Sequence, residues 1–191
     1  MRAALDATGL DTRHASRYYA RRAGRQRGKS KTWPKLTAVF DTHSHLILAA
    51  RATRGPSNDA PQFGPAARAA AGRVPLDTLL ADAGYDAEHL HALARDRLGV
   101  RSTLINLNPR SHGRKWPKTK YRRQMVRRFR TKPRGSRYRR VYGQRWQAES
   151  GFSRLKRLLG AALRARTWAT QKAEAILRAV VHNLMLLAAG P

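Results

Sequence analysis

The chain has 191 residues, with 40 Lys and Arg against 11 Asp and Glu, a formal net charge of +29 and no cysteine. Disulfides and thiolate metal sites are excluded. A charge this large calls for a polyanionic partner, because self-repulsion alone would only weaken the fold; nucleic acid is the first candidate and an anionic membrane the second. No apolar run reaches the length of a membrane span, and Met1 to Leu10 carries Arg2 and Asp6 where a signal peptide would be apolar. The expectation is a soluble intracellular chain, long enough for one compact domain with a core.

Arg2 to Leu10 is predicted as a strand with Asp6 in its middle. Asp is a poor strand former and is expensive to bury unpaired, so Asp6 needs a reason to be there. Tyr18 to Lys35 is polar and reads as a loop. Leu36 to Phe40 is a second strand, Asp41 to His45 a tight turn and Leu46 to Thr53 a third strand, a hairpin leading into Arg54 to Asp59. Pro61 to Ala71 reads as an Ala-rich helix ended by Gly72. Leu76 to Ala81 is an apolar fourth strand closed by Asp82, Tyr85 to Leu98 a helix closed by Gly99, and Val100 to Leu107 a fifth strand.

Asn108 to Arg140 is crowded with Lys, Arg, Pro and Gly and is predicted as a basic loop or arm that orders on a polyanion. A helix then runs to about Leu159. Thr167 or Thr170 caps a last helix, Gln171 to Ala188, in which Ile176, Leu177, Val180, Val181, Leu184 and Leu187 repeat at helical spacing. Three strands joined by short turns form an antiparallel meander, and strands separated by helices join it in parallel. The expected fold is α/β: a mixed five-stranded sheet flanked by helices, in one domain spanning residues 1–191.

Among so few acids, three occupy special places: Asp6 within the first strand, Asp82 at the end of the fourth and Glu149 on the helix after the basic arm. The first and fourth strands can be neighbours, with the late helix beside both. Carboxylates brought together raise one another's pKa unless a cation neutralises them. An all-oxygen donor set suits Mg²⁺ or Mn²⁺, and two such ions on a phosphodiester can activate a water or a 3′-hydroxyl and stabilise the leaving oxygen. The basic surface supports a nucleic-acid substrate through phosphate neutralisation, and Trp116 and Tyr121 are candidates to stack on unpaired bases.

Tyr142, Arg145, Glu149 and Lys156 stand at offsets 0, 3, 7 and 14. On one helix they fall within an arc of about 60°. This spacing resembles the Y-(2)-R-(3)-E-(6)-K signature of DDE-type transposases of bacterial insertion sequences, in the insertion-sequence-four-like superfamily. Leu5-Asp-Ala-Thr-Gly9 is similar to that family's first-Asp strand, Ala81-Asp-Ala-Gly-Tyr-Asp86 to its second-Asp motif, Gly55-Pro-Ser-Asn-Asp59 to the turn before its first helix, and His182-Asn183-Leu184 to its closing helix.

The resemblance implies an RNase H-like core in which Asp6, Asp82 and Glu149 hold two divalent ions, Mg²⁺ or Mn²⁺. It implies that Tyr142, Arg145 and Lys156 hold DNA near the scissile phosphate. The implied partners are double-stranded DNA, both transposon ends and target, and a second copy in a homodimeric active complex, with no membrane and a cytoplasmic, nucleoid-associated location. Family members hydrolyse a strand at the element's end and attack target DNA with the freed 3′-hydroxyl. Two departures accompany the likeness. Asp6 follows Met1 so closely that the usual N-terminal DNA-binding region is expected to be absent. The interval from Asp82 to Glu149 leaves no room for a large β-rich insertion, which points to the compact subgroup. The alternatives are a basic nucleic-acid-binding remnant without catalysis and a related RNase H-like nuclease.

The other acids and histidines have plainer readings. Asp41 is a turn residue, Asp77 precedes its strand, Asp11 lies past the first strand, Asp59 and Asp86 are helix caps, and Glu174 is a first-turn acid. His43 and His45 lack a third ligand at sensible spacing. His112 is read as exposed, His182 as a packed or rim histidine, and Trp146 and Phe152 as core contacts. Ser150 and Ser153 lack a strand–turn–helix elbow, and no Walker-type loop is present.

Overall fold

The structure, a computed structural model, describes residues 1–12, 32–108, 116–131, 133 and 135–189. The strands are β1 (Arg2–Gly9), β2 (Asp11–Thr12), β3 (Trp33–Asp41), β4 (Ile47–Gly55), β5 (Thr78–Ala81), β6 (Ser102–Ile105) and β7 (Ala162–Leu163). The helices are α1 (Ala60–Ala71), α2 (Glu88–Ala92, continued by a wider π turn over Leu93–Arg97), α3 (Lys120–Thr131), α4 (Arg137–Gly143), α5 (Trp146–Leu159) and α6 (Trp168–Ala188). The expected loop from Tyr18 to Lys35 and the reading of His112 lie largely or wholly outside the described residues; Trp33 to Lys35 belong to β3.

Five strands form one sheet in the order β4-β3-β1-β5-β6. β1, β3 and β4 run antiparallel, and β1, β5 and β6 run parallel. This is the mixed meander-plus-crossover sheet expected from the sequence, and its order is that of an RNase H-like fold.

Alternation along β1 feeds two apolar layers, because successive side chains point to opposite faces. Ala3 and Leu5 face α1 and α2, packing with Phe63, Ala66, Ala67, Ala70, Leu90 and Ala94. Ala4, with Ala38, Phe40, Leu80 and Leu104, faces the other side, where Met125 and Phe129 of α3, Ala148, Phe152 and Leu155 of α5 and Ala175 and Ala179 of α6 cover it. Asp6 shares the parity of Ala4 and so belongs to the α5 face.

The segment expected to be a basic arm is corrected by the structure: Lys120–Thr131 and Arg137–Gly143 are helices. Tyr121, Met125, Val126 and Phe129 are buried, and their spacing of four, one and three is that of a helix face. Cations fill the positions between them and hide the stripe in composition. Tyr121 is therefore no stacking platform: it is 4% exposed, and its hydroxyl donates to Asp96. Trp116 is half exposed.

α3 is held where it is by two acids. Asp86 forms a buried ion pair with Arg122 at 2.7 Å and accepts from the Asn108 backbone at 2.9 Å. The N-cap of α2 is Ala87, so Asp86 does not cap that helix. Glu88 accepts from the backbone N–H groups of Tyr121 at 2.8 Å and Arg122 at 2.9 Å. Burial works against the Glu88 charge, but these two donors, with the Thr119 side chain and His91, outweigh it and hold its carboxyl below the usual range. Asp59 stands at the α1 N-cap position without a side-chain cap bond and pairs instead with Lys35. Gly99 ends the α2 segment as expected, at φ 68°.

α6 presents an unexpected face to the sheet. Gln171, Ala175, Arg178, Ala179 and His182 are its buried residues, while Leu177, Val180, Leu184, Met185 and Leu187 are exposed. The polar anchors explain this. Arg178 donates to the Ala162 carbonyl at 2.7 Å and to Glu174 at 2.7 Å. Asn183 closes a two-way bond with the Ile47 backbone, at 2.8 and 2.9 Å. Glu174 also accepts from the backbone of Arg164 and Ala165, so it fastens the β7 segment and is no first-turn acid of a helix that begins at Trp168. His182 is buried edge-on to Phe40, the packed histidine expected. Phe152 is buried as expected, but Trp146 is 56% exposed.

Candidate active site

β1 pairs with β5 in parallel, Leu5 opposite Ala81. Asp6 and Asp82 are the residues that follow this last parallel pair, Asp6 still within β1 and Asp82 just past the end of β5. Asp82 is exposed and caps the short turn after β5, its Oδ1 accepting from the Ala83 N–H at 2.7 Å.

α5 brings the third acid. It sits close on β1 and β3 because Gly151 lets the helix approach Phe40. Glu149 stands half a turn before Gly151, and its carboxylate accepts from Arg145 Nη1 at 2.7 Å. Seven residues further on, Lys156 donates to Thr8 Oγ1 at 2.7 Å, on the same strand and parity as Asp6. Lys156 therefore addresses β1, and Glu149, two turns earlier on α5, acts on Asp6 through its charge.

The signature stretch is not one continuous helix. α4 ends at Gly143 and α5 starts at Trp146. Across the junction each bond spans three residues: Gln144 to Val141, Arg145 to Tyr142, Gln147 to Gln144 and Ala148 to Arg145. Such bonding eclipses side chains three apart, which lays Tyr142 against Arg145. The expected single arc is corrected in that respect, while the convergence of Tyr142, Arg145 and Glu149 is kept.

The charges interact as the geometry requires. Burial raises the Asp6 carboxyl first of all. The Ala7 N–H and Arg145 pull it down, Asp82 and Glu149 push it up, and the net direction is upward. Burial also raises the Tyr142 phenol, against the pull of Arg145, so it stays neutral. Burial opposes the charge of Arg145, but Glu149, Tyr142 and Asp82 outweigh it and raise its pKa. Behind the acids, burial and then Asp59, Asp6 and Asp82 push the Tyr85 phenol upward; its hydroxyl has no hydrogen-bond partner among the described residues.

Asp6, Asp82 and Glu149 thus share one field. Their side chains are not gathered into a chelating cluster: among the described residues, no group of three His, Asp or Glu is arranged to hold a metal. Glu149 is turned to Arg145 and Asp82 to Ala83. The donor chemistry nonetheless fits a hard divalent cation: three carboxylates, one of them raised by burial and by its two neighbours. The other candidates lie apart. Asp41 accepts from Ser44 in its turn, Asp77 pairs with Arg101, and Asp11 belongs to the β2–β7 ladder.

Two contributors escaped the sequence reading. Thr8 receives Lys156, and Gly151 sets the height of α5; a small residue two places after the signature Glu was the one available signal. A family model described as a transposase DDE domain matches residues 2–184. No curated protein and no solved structure matches the chain.

Proposed function

The chain belongs to the transposase DDE domain family, and we propose that Asp6, Asp82 and Glu149 are the acids of its catalytic centre. The domain is a transposase catalytic domain of a family that cuts and joins DNA by metal-dependent phosphoryl transfer. The observation that supports the assignment is the shared field of the three acids: Asp6 and Asp82 directly follow the last pair of the parallel β1–β5 ladder, and Asp6 is raised by burial and by both other carboxylates. The Y-R-E-K spacing supports membership of the insertion-sequence-four-like superfamily.

DDE transposases use divalent metal ions; on our reading two of them, Mg²⁺ or Mn²⁺, are held by Asp6, Asp82 and Glu149. A bound ion supplies charge neutralisation and an activated oxygen nucleophile. The chain's own residues do the rest. Asp6, anchored on β1, is the fixed donor. Glu149 would hold the cation with Asp6 and Asp82, and Arg145, now its ion-pair partner, would donate to a phosphate oxygen. Lys156, resting on Thr8, gives a second cation on the same track. The neutral phenol of Tyr142 aligns Arg145 and offers a hydroxyl to the same DNA strand.

The partners on this reading are double-stranded DNA, transposon end and target, which places the protein at the nucleoid. No helix of the described residues is long and apolar enough to cross a membrane. A homodimer is supported by α6. Leu177, Val180, Leu184 and Leu187 are exposed at a 3-4-3 spacing, the seam geometry of paired helices. From Ala179 to Ala188 the helix carries no Lys or Arg. In a chain of charge +29, two copies meet with least repulsion at such a face.

The test is Mg²⁺-dependent nicking and strand transfer on duplexes carrying the ends of the element that encodes the chain, with Glu149→Gln as comparison. Cutting by the wild type alone supports the assignment. Equal cutting by both, or DNA binding without cutting by either, overturns it.

A further inference from the structure

A cavity of about 410 Å³ opens at the other end of the sheet, where the parallel strands begin. Its floor is the row Arg2, Thr78 and Ser102, paired across β1, β5 and β6. Arg128 of α3 and Arg137 and Tyr138 of α4 form its wall. It lies on the same face of the sheet as the acids, but Thr78 and Asp82 are four residues apart, about 13 Å along the strand.

Four guanidinium groups line this cavity against one carboxylate, Asp77. Asp77 is used by Arg101 at 2.7 Å. Two of the other arginines are positioned by neutral groups. Arg2 donates to Gln144 Oε1 at 2.9 Å. Arg128 donates to Ser102 Oγ at 3.2 Å and lies 4.8 Å from the centre of the Tyr138 ring. Arg137 is exposed at the start of α4. Neutral partners hold a guanidinium in place without cancelling its charge. Positioned arginines converging on a concavity are suited to phosphate oxygens, which accept their paired N–H groups.

We propose that this cavity is a phosphate-binding site distinct from the catalytic acids, and that it takes the backbone of the DNA segment that leaves those acids along α4. α4 joins the two places. Arg137, Tyr138 and Val141 face the cavity, and the next residue, Tyr142, lies in the field of Asp82. The helix is about 10 Å long, roughly three nucleotides at 3.4 Å per phosphate of one strand. The site depends on DNA as the polyanion, and not on the roles assigned to Asp6, Asp82 and Glu149.

The test compares Arg101→Ser/Arg137→Ser with a control of equal charge, Arg51→Ser/Arg68→Ser, both pairs being exposed side chains. Binding of a 30-base-pair duplex is measured between 50 and 200 mM salt, and thermal stability is followed with and without inorganic pyrophosphate. The expected result is an affinity about tenfold lower for the cavity variant than for the control, and a salt slope lower by about 1, because Arg101 is already paired with Asp77. Pyrophosphate raises the melting temperature of wild type and control but not of the cavity variant. Equal loss of DNA binding in the two variants overturns the proposal. A pyrophosphate effect lost in the cavity variant with DNA binding unchanged also overturns it, because the site then serves a free phosphoanion and not DNA. The single variant Arg137→Ser gives the same reading if the double variant folds poorly.

Discussion

Gly151 packs its backbone directly against the Phe40 ring: a Cβ at Gly151 would lie 2.7 Å from Phe40 Cδ1 and 3.0 Å from Cζ, and closer still to Cε1. Phe40 is fully buried between Phe152 and His182 and has nowhere to go. Gly151→Ala must therefore lift α5 from the sheet. The expected cost is about 1–3 kcal/mol of stability, measured by urea unfolding. DNA cleavage is expected to fall by more than DNA affinity, because Glu149 rides on the same turn.

Replacing Glu149 by Gln removes a charge without changing shape. On the proposed assignment, metal-dependent cleavage falls about a hundred- to a thousandfold, the scale on which removal of a key group in the transition state acts. DNA affinity in the absence of metal is unchanged or rises slightly, since Arg145 is released from its ion pair. Cleavage assays beside gel-shift titrations check both halves.

His91 gives the fold a pH dependence. It is fully buried, with Nδ1 2.7 Å from Thr103 Oγ1 and Nε2 without a hydrogen-bond partner among the described residues. Burial lowers its pKa to about 4; Asp86 and Glu88 oppose the shift, and Arg122 and Arg95 assist it. A histidine lowered on folding contributes stability above its unfolded pKa near 6.5, and that contribution is lost as pH falls toward 4. The loss amounts to at most about 3 kcal/mol. Urea unfolding from pH 7 to pH 4 should show this decline, and His91→Gln should flatten it.

The Asp86–Arg122 pair holds α3 to the loop that follows Asp82. The two side chains are 0% and 9% exposed. Asp86→Ala leaves the Arg122 charge buried beside Glu88, and the expected loss is about 3–5 kcal/mol. The double variant Asp86→Ala/Arg122→Met should recover part of it, measured as a coupling energy in a double-mutant cycle.

The exposed stripe on α6 yields a prediction about assembly. Leu184→Glu places a charge on a face that carries none, where Leu184 is 58% exposed. The monomer should keep its melting temperature within a few degrees, since the side chain makes no core contact, while a dimer seen by sedimentation or light scattering is lost. A wild type that stays monomeric across concentrations contradicts the dimer reading.

Much of the fold was legible in the residues because it rests on local chemistry. The Asp41 turn, the Gly99 stop and the alternation in β1 each act within a few residues. The same alternation, with Asp82 ending a parallel neighbour, was enough to bring two acids of the candidate site together. What escaped was decided by contacts distant in sequence. The stripe Tyr121, Met125, Val126 and Phe129 was masked by the cations around it, and only Glu88 and Asp86, more than thirty residues earlier, make it the buried face of a helix.

The sequence by itself determined the order of elements, the mixed sheet and the spacing of Tyr142, Arg145, Glu149 and Lys156. Periodicity reports that a helix has two faces, but not which one turns inward. On α6 the tertiary structure made that choice against hydrophobicity. Arg178 finds the Ala162 carbonyl, and Asn183 finds both backbone groups of Ile47, groups that would otherwise be left unpaired at the sheet edge. Satisfying them turned the leucines out to solvent. The tertiary structure likewise turned Glu149 to Arg145 and gathered four arginines under α4, because charge and hydrogen bonding act between residues that only the folded chain brings together.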